Sequence, residues 1–238
     1  MRVAWKTDTG RKKSVNEDAL LIDEEAGLFL LADGMSAPRA GRVASRLAVR
    51  RAHAFLKERL PRTNNDPVLP LLNQAVEHAH EAVKKASLKR RALRGMGTTL
   101  IVLCVRGDTA YFSHVGDSRA YLHRTNSFRQ ITTDHSLDLH NHKSAAIREL
   151  FSFHRARVLS QALGPSKQVL CDGHRVELRQ GDIILLCSDG LTDMLSENAV
   201  HQIIATYIPD IDRTADALIE AANAMGGKDN ISVVLTMW

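Results

Sequence analysis

The pattern of apolar and polar positions divides the chain into strand-length and helix-length stretches. Two short apolar runs, residues 19–22 and 28–32, flank Asp23-Glu24-Glu25-Ala26-Gly27, which reads as the turn of a hairpin. From residue 39 the period changes. Val43, Leu47, Phe55 and Leu56 recur at helical spacing up to Pro61, and Leu72, Val76, Ala79, Val83 and Ala86 mark a second amphipathic helix. Residues 98–105, 109–115 and 118–123 are β-branched or aromatic and are broken by Gly107-Asp108 and Gly116-Asp117, so they read as strands joined by turns. Residues 135–157 are polar, His-rich and only weakly periodic, and read as a mobile excursion from the scaffold. The last third predicts strands at 169–178 and 182–187, helices at 197–207 and 211–224, and a closing strand at 231–237. Strands followed by paired helices, twice over, suggest an α+β chain of two sheets flanked by helical layers.

Composition narrows the class. The chain has 238 residues, 44% hydrophobic and 25% charged, which suits one domain with a sizeable core. Lys and Arg number 32 against 27 Asp and Glu, a net charge of +5 that permits an anionic partner but lacks the dense basic face of a nucleic-acid binder. Aromatic residues at 5% are too sparse for a base-stacking platform. Apolar runs such as 28–32 and 183–187 fall far short of the ~20 residues needed to cross a bilayer, so no membrane partner is expected. Residues 1–6 carry no apolar segment of a secretory signal, and three cysteines without CxxC spacing argue against a disulfide framework or a thiolate zinc site. A cytoplasmic location is expected.

The chemistry lies in where the carboxylates stand. Asp33-Gly34 ends one apolar run and Asp189 follows another, while Asp229-Asn230 and Glu17-Asp18 directly precede two more. Any one pair is ordinary turn chemistry. Four such pairs are harder to dismiss, because packed strands converge, and clustered anions are costly unless a cation compensates. All-oxygen donors without His or Cys nearby suit a hard cation, Mn²⁺ or Mg²⁺. A Gly after the ligand Asp lets its backbone carbonyl approach a metal. Two such ions about 3.5–4 Å apart can activate a water and orient a phosphoryl group.

Longer blocks surround these acids, in order along nearly the whole chain: Asn16-Glu17-Asp18-Ala19, Ala32-Asp33-Gly34-Met35, Gly41 with Ala44-Ser45, Met96-Gly97-Thr98-Thr99, residues 115–122, Thr133-Asp134-His135-Ser136-Leu137, residues 159–164, residues 188–193 and Gly226-Gly227-Lys228-Asp229-Asn230-Ile231. On these blocks the sequence closely resembles the PPM (type 2C) family of metal-dependent Ser/Thr protein phosphatases, in its small stand-alone bacterial form. The resemblance implies a central β-sandwich of two mainly antiparallel sheets flanked by pairs of helices, forming a single domain over 1–238 with a variable flap at about 135–157. It implies hydrolysis of phosphoserine and phosphothreonine by direct attack of a hydroxide bridging two metals, Mn²⁺ or Mg²⁺, without a phospho-enzyme. Carried over by position, Asp33 would bridge the metals, Asp189 and Asp229 would bind one, and Asp18 with the Gly34 carbonyl would hold the other, with Glu17 either a further ligand or a support to one. Asp117 falls at the ligand of a weaker third site, assisted by Asp193. The implied partners are phosphorylated Ser/Thr proteins, including a cognate kinase or its substrates, and the chain is expected to be a monomer.

The sequence departs from the family pattern in three places. Lys13 stands where the family has a phosphate-gripping Arg, and Arg11 lies close enough to help. Ser36-Ala37-Pro38 replaces Gly-Gly-His, and Arg42 a common Glu, which predicts a stiffer loop without a nearby His acid. The flap departs before Leu159. Two alternatives stand beside the enzyme reading. A pseudophosphatase or phosphoprotein-binding module with little turnover is mildly favoured by Lys13 and the altered loop and opposed by the complete acid set; a nucleotide- or nucleic-acid-directed metal hydrolase lacks the basic and aromatic content. The remaining signals have mostly structural readings. The run of six basic residues over 84–94 could steer a phosphorylated or acidic partner, with a solvated helix end an equally good reading; His135, His140 and His142 could imitate a metal cluster but read as surface residues of the flap, and Cys187 reads as a strand core residue rather than a nucleophile.

Overall fold

The structure, a computed structural model, describes residues 1–35, 40–60, 67–138 and 157–238. Fourteen strands appear among these: β1 Arg2–Asp8, β2 Ala19–Asp23, β3 Leu28–Ala32, β4 Gly34–Met35, β5 Gly97–Thr98, β6 Leu100–Arg106, β7 Thr109–Val115, β8 Arg119–Arg124, β9 Ser127–Gln130, β10 Ser136–Asp138, β11 Arg157–Leu159, β12 Asp172–Glu177, β13 Ile183–Cys187 and β14 Ile231–Met237. The described α-helices are α1 Ala40–Arg59, α2 Val68–Lys89, a single turn α3 Asp189–Thr192, α4 Glu197–Tyr207 and α5 Ile211–Ala224. Two five-stranded sheets, ordered β1-β14-β13-β8-β9 and β12-β7-β6-β3-β2, pair antiparallel throughout.

The continuous apolar runs follow from burial on both faces of each sheet. In β3, Leu28, Leu30 and Ala32 pack under α1 and α2, while Phe29 and Leu31 point into the layer between the sheets. In β13, Ile183, Leu185 and Cys187 pack under α4 and α5, and Ile184 and Leu186 face the same inter-sheet layer. Strict alternation between two buried faces erases the polar half of a normal strand pattern. The result is the four-layer α-β-β-α sandwich that the resemblance implied.

Strands β2, β3, β7 and β14 and helices α1, α2, α4 and α5 lie where the pattern places them, within a few residues. The third C-terminal strand begins at Asp172 rather than 169, and β1 and β9 carry no pattern that announces them. In β1 only Ala4 is fully buried and Trp5 is exposed, as an edge strand with one covered side chain permits. Its pairing Asp8↔Ile231 lays the following residues across the start of β14, which sets the position of the site. Strands β10 and β11 pair antiparallel, so the two ends of the 135–157 excursion meet. His140 and His142, like Ser36-Ala37-Pro38, lie outside the described residues.

Candidate active site

Each sheet brings two of the four expected carboxylates to one end of the sandwich. The register Ala19↔Ala32 sets Asp18, just before β2, opposite Asp33, just after β3. In the other sheet Cys187 pairs with Val233, and Ser188 N donates to Ser232 O, which places Asp189 beside the entry to β14 at Asp229.

Hydroxyls join the two pairs across the layers. Asp18 Oδ2 accepts from Ser188 Oγ (2.8 Å) and Ser232 Oγ (2.6 Å), both from the opposite sheet. Asp18 is almost fully buried, and its Oδ1 has no hydrogen-bond partner among the described residues. The backbone of Asp33 is gripped by consecutive threonines: Thr99 Oγ1 accepts from Asp33 N (2.9 Å), and Thr98 Oγ1 (2.8 Å) and Thr99 N (2.9 Å) donate to Asp33 O. Asn230 locks the N-terminal segment. Its Oδ1 accepts from Glu17 N (2.8 Å), and its Nδ2 donates to Thr9 O (2.9 Å) and Val15 O (3.0 Å).

Two glycines allow this packing. A Cβ on Gly34 would sit 2.3 Å from Gly41 O, and one on Gly190 would sit 2.0 Å from Asn230 O. Both contacts are with backbone and cannot be relieved by a rotamer change. Gly190→Ala is therefore expected to destabilise the protein by about 3 kcal/mol, the upper part of the usual overpacking range, measurable by urea denaturation. It should also lower activity by displacing Asn230.

Electrostatics show that the four acids share one field. Burial raises the Asp18 carboxyl to about 7, with Asp189 and Asp229 adding to the shift against the relief from Ser232 and Ser188. Asp33 is raised well above the usual carboxylate range, first by burial and then by Asp18, Asp189 and Asp229. Such a set is unfavourable when fully ionised and empty of cations, and favourable around them. Oxygen-only donors, a buried orphan oxygen and mutual repulsion fit hard divalent cations.

The other expected residues take definite places. Glu17 turns its carboxylate to Arg42 N at the start of α1 (3.2 Å), and its carbonyl accepts from Ser45 Oγ (2.5 Å). Asp117 lies in the turn between β7 and β8, next to Ser118, whose hydroxyl is 2.8 Å from Thr99 Oγ1. Asp193 is exposed and follows α3. Lys13 Nζ is 2.7 Å from Asp229 Oδ1, with almost half of its side chain exposed. Cys187 is fully buried among the α4–α5 side chains, and burial pushes its thiol up to about 12, so it is core rather than nucleophile. The basic run continues from α2 into a 3₁₀ turn, Arg91–Leu93, with Lys89, Arg90, Arg91 and Arg94 exposed. His135 differs from expectation. It is 9% exposed and packed against His114 and Asp172, because the segment entering β10 folds back onto the turn after β7.

Sequence reasoning did not single out Ser188, Ser232, Thr98, Thr99 and Asn230 for these supporting roles. Their signal is present only as small hydroxyl or amide residues directly flanking the strand ends.

A family model described as Protein phosphatase 2C matches residues 7–227. The chain belongs to the protein phosphatase 2C family. It is 33% identical over 240 residues to serine/threonine phosphatase stp of Listeria welshimeri serovar 6b, covering 99% of this chain and 95% of that one. It is 34% identical over 240 residues to protein phosphatase PhpP of Streptococcus pneumoniae, covering 99% and 96%. Among solved structures, the catalytic domain of serine/threonine protein phosphatase PstP in complex with two manganese ions superposes with a TM-score of 0.80 at 33% identity, covering 98% of this chain and 96% of that one.

Proposed function

We propose that this protein is a metal-dependent phosphoprotein phosphatase that hydrolyses phosphoserine and phosphothreonine, with residues 1–238 as one catalytic domain. The observation that carries the reading is the convergence of Asp18, Asp33, Asp189 and Asp229 from both sheets, with a buried Asp18 oxygen that lacks a proton donor among the described residues. In this reading Asp33, together with Asp189 and Asp229 on one side and Asp18 and the Gly34 carbonyl on the other, would hold two Mn²⁺ or Mg²⁺ ions, and Asp117 would hold a weaker third. Bound there, such ions supply the Lewis acidity that polarises a phosphoryl group and acidifies water.

The chain's own residues do the positioning. Thr98 and Thr99 fix the Asp33 backbone, and Ser188 and Ser232 hold one Asp18 oxygen, leaving the other without a partner among the described residues. Lys13, paired to Asp229 in a half-exposed contact, is at the rim. Exposed ion pairs are weak, so its ammonium can turn to a phosphate oxygen at little cost. An Arg there would add a second, bidentate hydrogen bond. Lys13→Arg is expected to lower KM for a phosphothreonine peptide about fivefold with kcat little changed. An unchanged KM would remove Lys13 from phosphate binding.

The similarity to named phosphatases and the complete acid set favour turnover over a binding-only module. The acids are gathered at one end of the fold, so the rest of the surface is more basic than +5 suggests, which suits phosphorylated protein partners, including a Ser/Thr kinase or its substrates. Three free cysteines agree with a reducing cytoplasm, and among the described residues no helix is long and apolar enough to cross a membrane. A monomer is the assembly this reading assumes. The test is phosphate release from matched phosphothreonine, phosphoserine and phosphotyrosine peptides. Turnover of the first two and slow turnover of the third is expected, and no turnover of any would contradict the proposal.

A further inference from the structure

At the edge of the second sheet, beside the Gly116-Asp117 turn, a cluster of histidines occupies positions where the strand pattern calls for apolar side chains. Strand β12 pairs with β7 so that Asp172 faces His114 directly and His174 follows two residues later on the same side. That side is the inter-sheet face, since Ala110 and Phe112 of β7 and Val176 of β12 belong to the layer between the sheets. His135 closes over it. Its ring stacks on His114 with centroids 4.7 Å apart, its Nε2 is 3.0 Å from Asp172 Oδ2, and its Nδ1 accepts a long 3.3 Å contact from Gly116 N.

Three observations give this cluster the character of a ligand set. One ligand-capable atom from each of His114, His135 and Asp172 lies within 4.8 Å of the other two. His114 is fully buried, and its Nε2 is 2.9 Å from Thr133 O; a carbonyl only accepts, so Nε2 carries the proton and Nδ1 is a bare lone pair. That Nδ1 has no hydrogen-bond partner among the described residues, and neither has the buried Nε2 of His174, whose ring lies 5.9 Å from that of His114. A ring nitrogen tied to a backbone carbonyl with its other nitrogen bare is the arrangement of a metal-ligating histidine. Burial also lowers the His114 pKa, which keeps it in the neutral, ligating form.

We propose that His114, His135 and Asp172 bind one divalent cation of the zinc type, with His174 at the edge of the site as a further donor. Two imidazoles and a carboxylate suit a borderline ion better than the hard cations of the acid centre. His114 coordinates through Nδ1 and Asp172 through a carboxylate oxygen. His135 coordinates through Nε2, its single ring proton moving to Nδ1, and the long contact with Gly116 N gives way. Ligand atoms about 2.0–2.1 Å from one ion sit roughly 3.3 Å apart, so the 3.0 Å pair needs little adjustment, while a pair near the 4.8 Å limit must close by about 1.5 Å. The bound ion ties the segment entering β10 to the edge strand β12.

The experiment is Zn²⁺ binding by competition with a chromophoric chelator, on the full chain as wild type, Asp33→Asn, His135→Gln and Asp172→Ala, with circular dichroism of each metal-free protein as the folding control. The Asp172 side chain is half-exposed, so its replacement leaves the core packing alone. Wild type and Asp33→Asn are expected to hold one Zn²⁺ that excess Mn²⁺ does not displace. His135→Gln and Asp172→Ala are expected to weaken it at least about tenfold, since loss of even an outer partner of a metal ligand costs that much. Equal Zn²⁺ affinity in folded Asp172→Ala and wild type, or loss of all tight Zn²⁺ binding in Asp33→Asn, would overturn the proposal.

Discussion

Asp33→Asn is expected to cut kcat/KM for a phosphothreonine peptide by at least about 10³-fold, a loss of roughly 4 kcal/mol of transition-state stabilisation. The substitution is nearly isosteric. The Asp33 backbone is held by Thr98 and Thr99 whatever the side chain, so the local geometry should persist and the loss should report on charge. An amide cannot neutralise two cations, and its NH₂ would face Asp18, Asp189 and Asp229 as a donor rather than as a fourth anion. The same change should raise the melting temperature of the metal-free protein, because it removes one member of a mutually repelling buried set. Kinetics and a thermal melt in EDTA check both signs together. A variant that loses activity and also melts earlier would point to misfolding instead.

The second large effect is the pH dependence of the metal-free protein. The folded-state pKa of Asp18 is raised to about 7 from an unfolded value near 4, chiefly by burial. A carboxyl with a raised folded pKa binds its proton more tightly when folded. The folded state is therefore favoured while that proton is present, and stability falls as pH rises from about 4 to about 7. A rise from near 4 to about 7 corresponds to roughly 4 kcal/mol, with Asp33 acting in the same direction. Urea denaturation in EDTA should show lower stability at pH 8 than at pH 5, and saturating Mn²⁺ at pH 8 should restore it, because cations that bind only the folded state stabilise it. Stability rising over the same interval in EDTA would mean that the acids are not gathered as described.

The core strands were legible because a strand covered on both faces must be apolar at every position, as residues 28–32 and 183–187 are. Strand β1 was not, since an edge strand needs only one buried side chain, Ala4, to hold its place. The acids themselves were legible for a related reason: a carboxylate directly against such a run ends at the mouth of the core. The residues that support them were hidden. Ser188 and Ser232 look like strand-end filler until the inter-sheet packing brings both hydroxyls to Asp18. Thr98 and Thr99 belong to a recognisable block, but their bonds to the Asp33 backbone cross 65 and 66 residues of chain. His135 read as a surface residue because its segment is polar, whereas its neighbours come from β7 and β12, which no local pattern reveals.

In the proposed function, the carboxylates gathered from the two sheets hold divalent cations that drive hydrolysis. The most direct measurement is phosphate release from one phosphothreonine peptide by the same preparation with Mn²⁺, after EDTA, and after Mn²⁺ is restored, with Asp189→Asn in parallel. Turnover that vanishes in EDTA, returns with Mn²⁺ and is absent from Asp189→Asn is the predicted result. Turnover that persists in EDTA, or that Asp189→Asn retains in full, would contradict it.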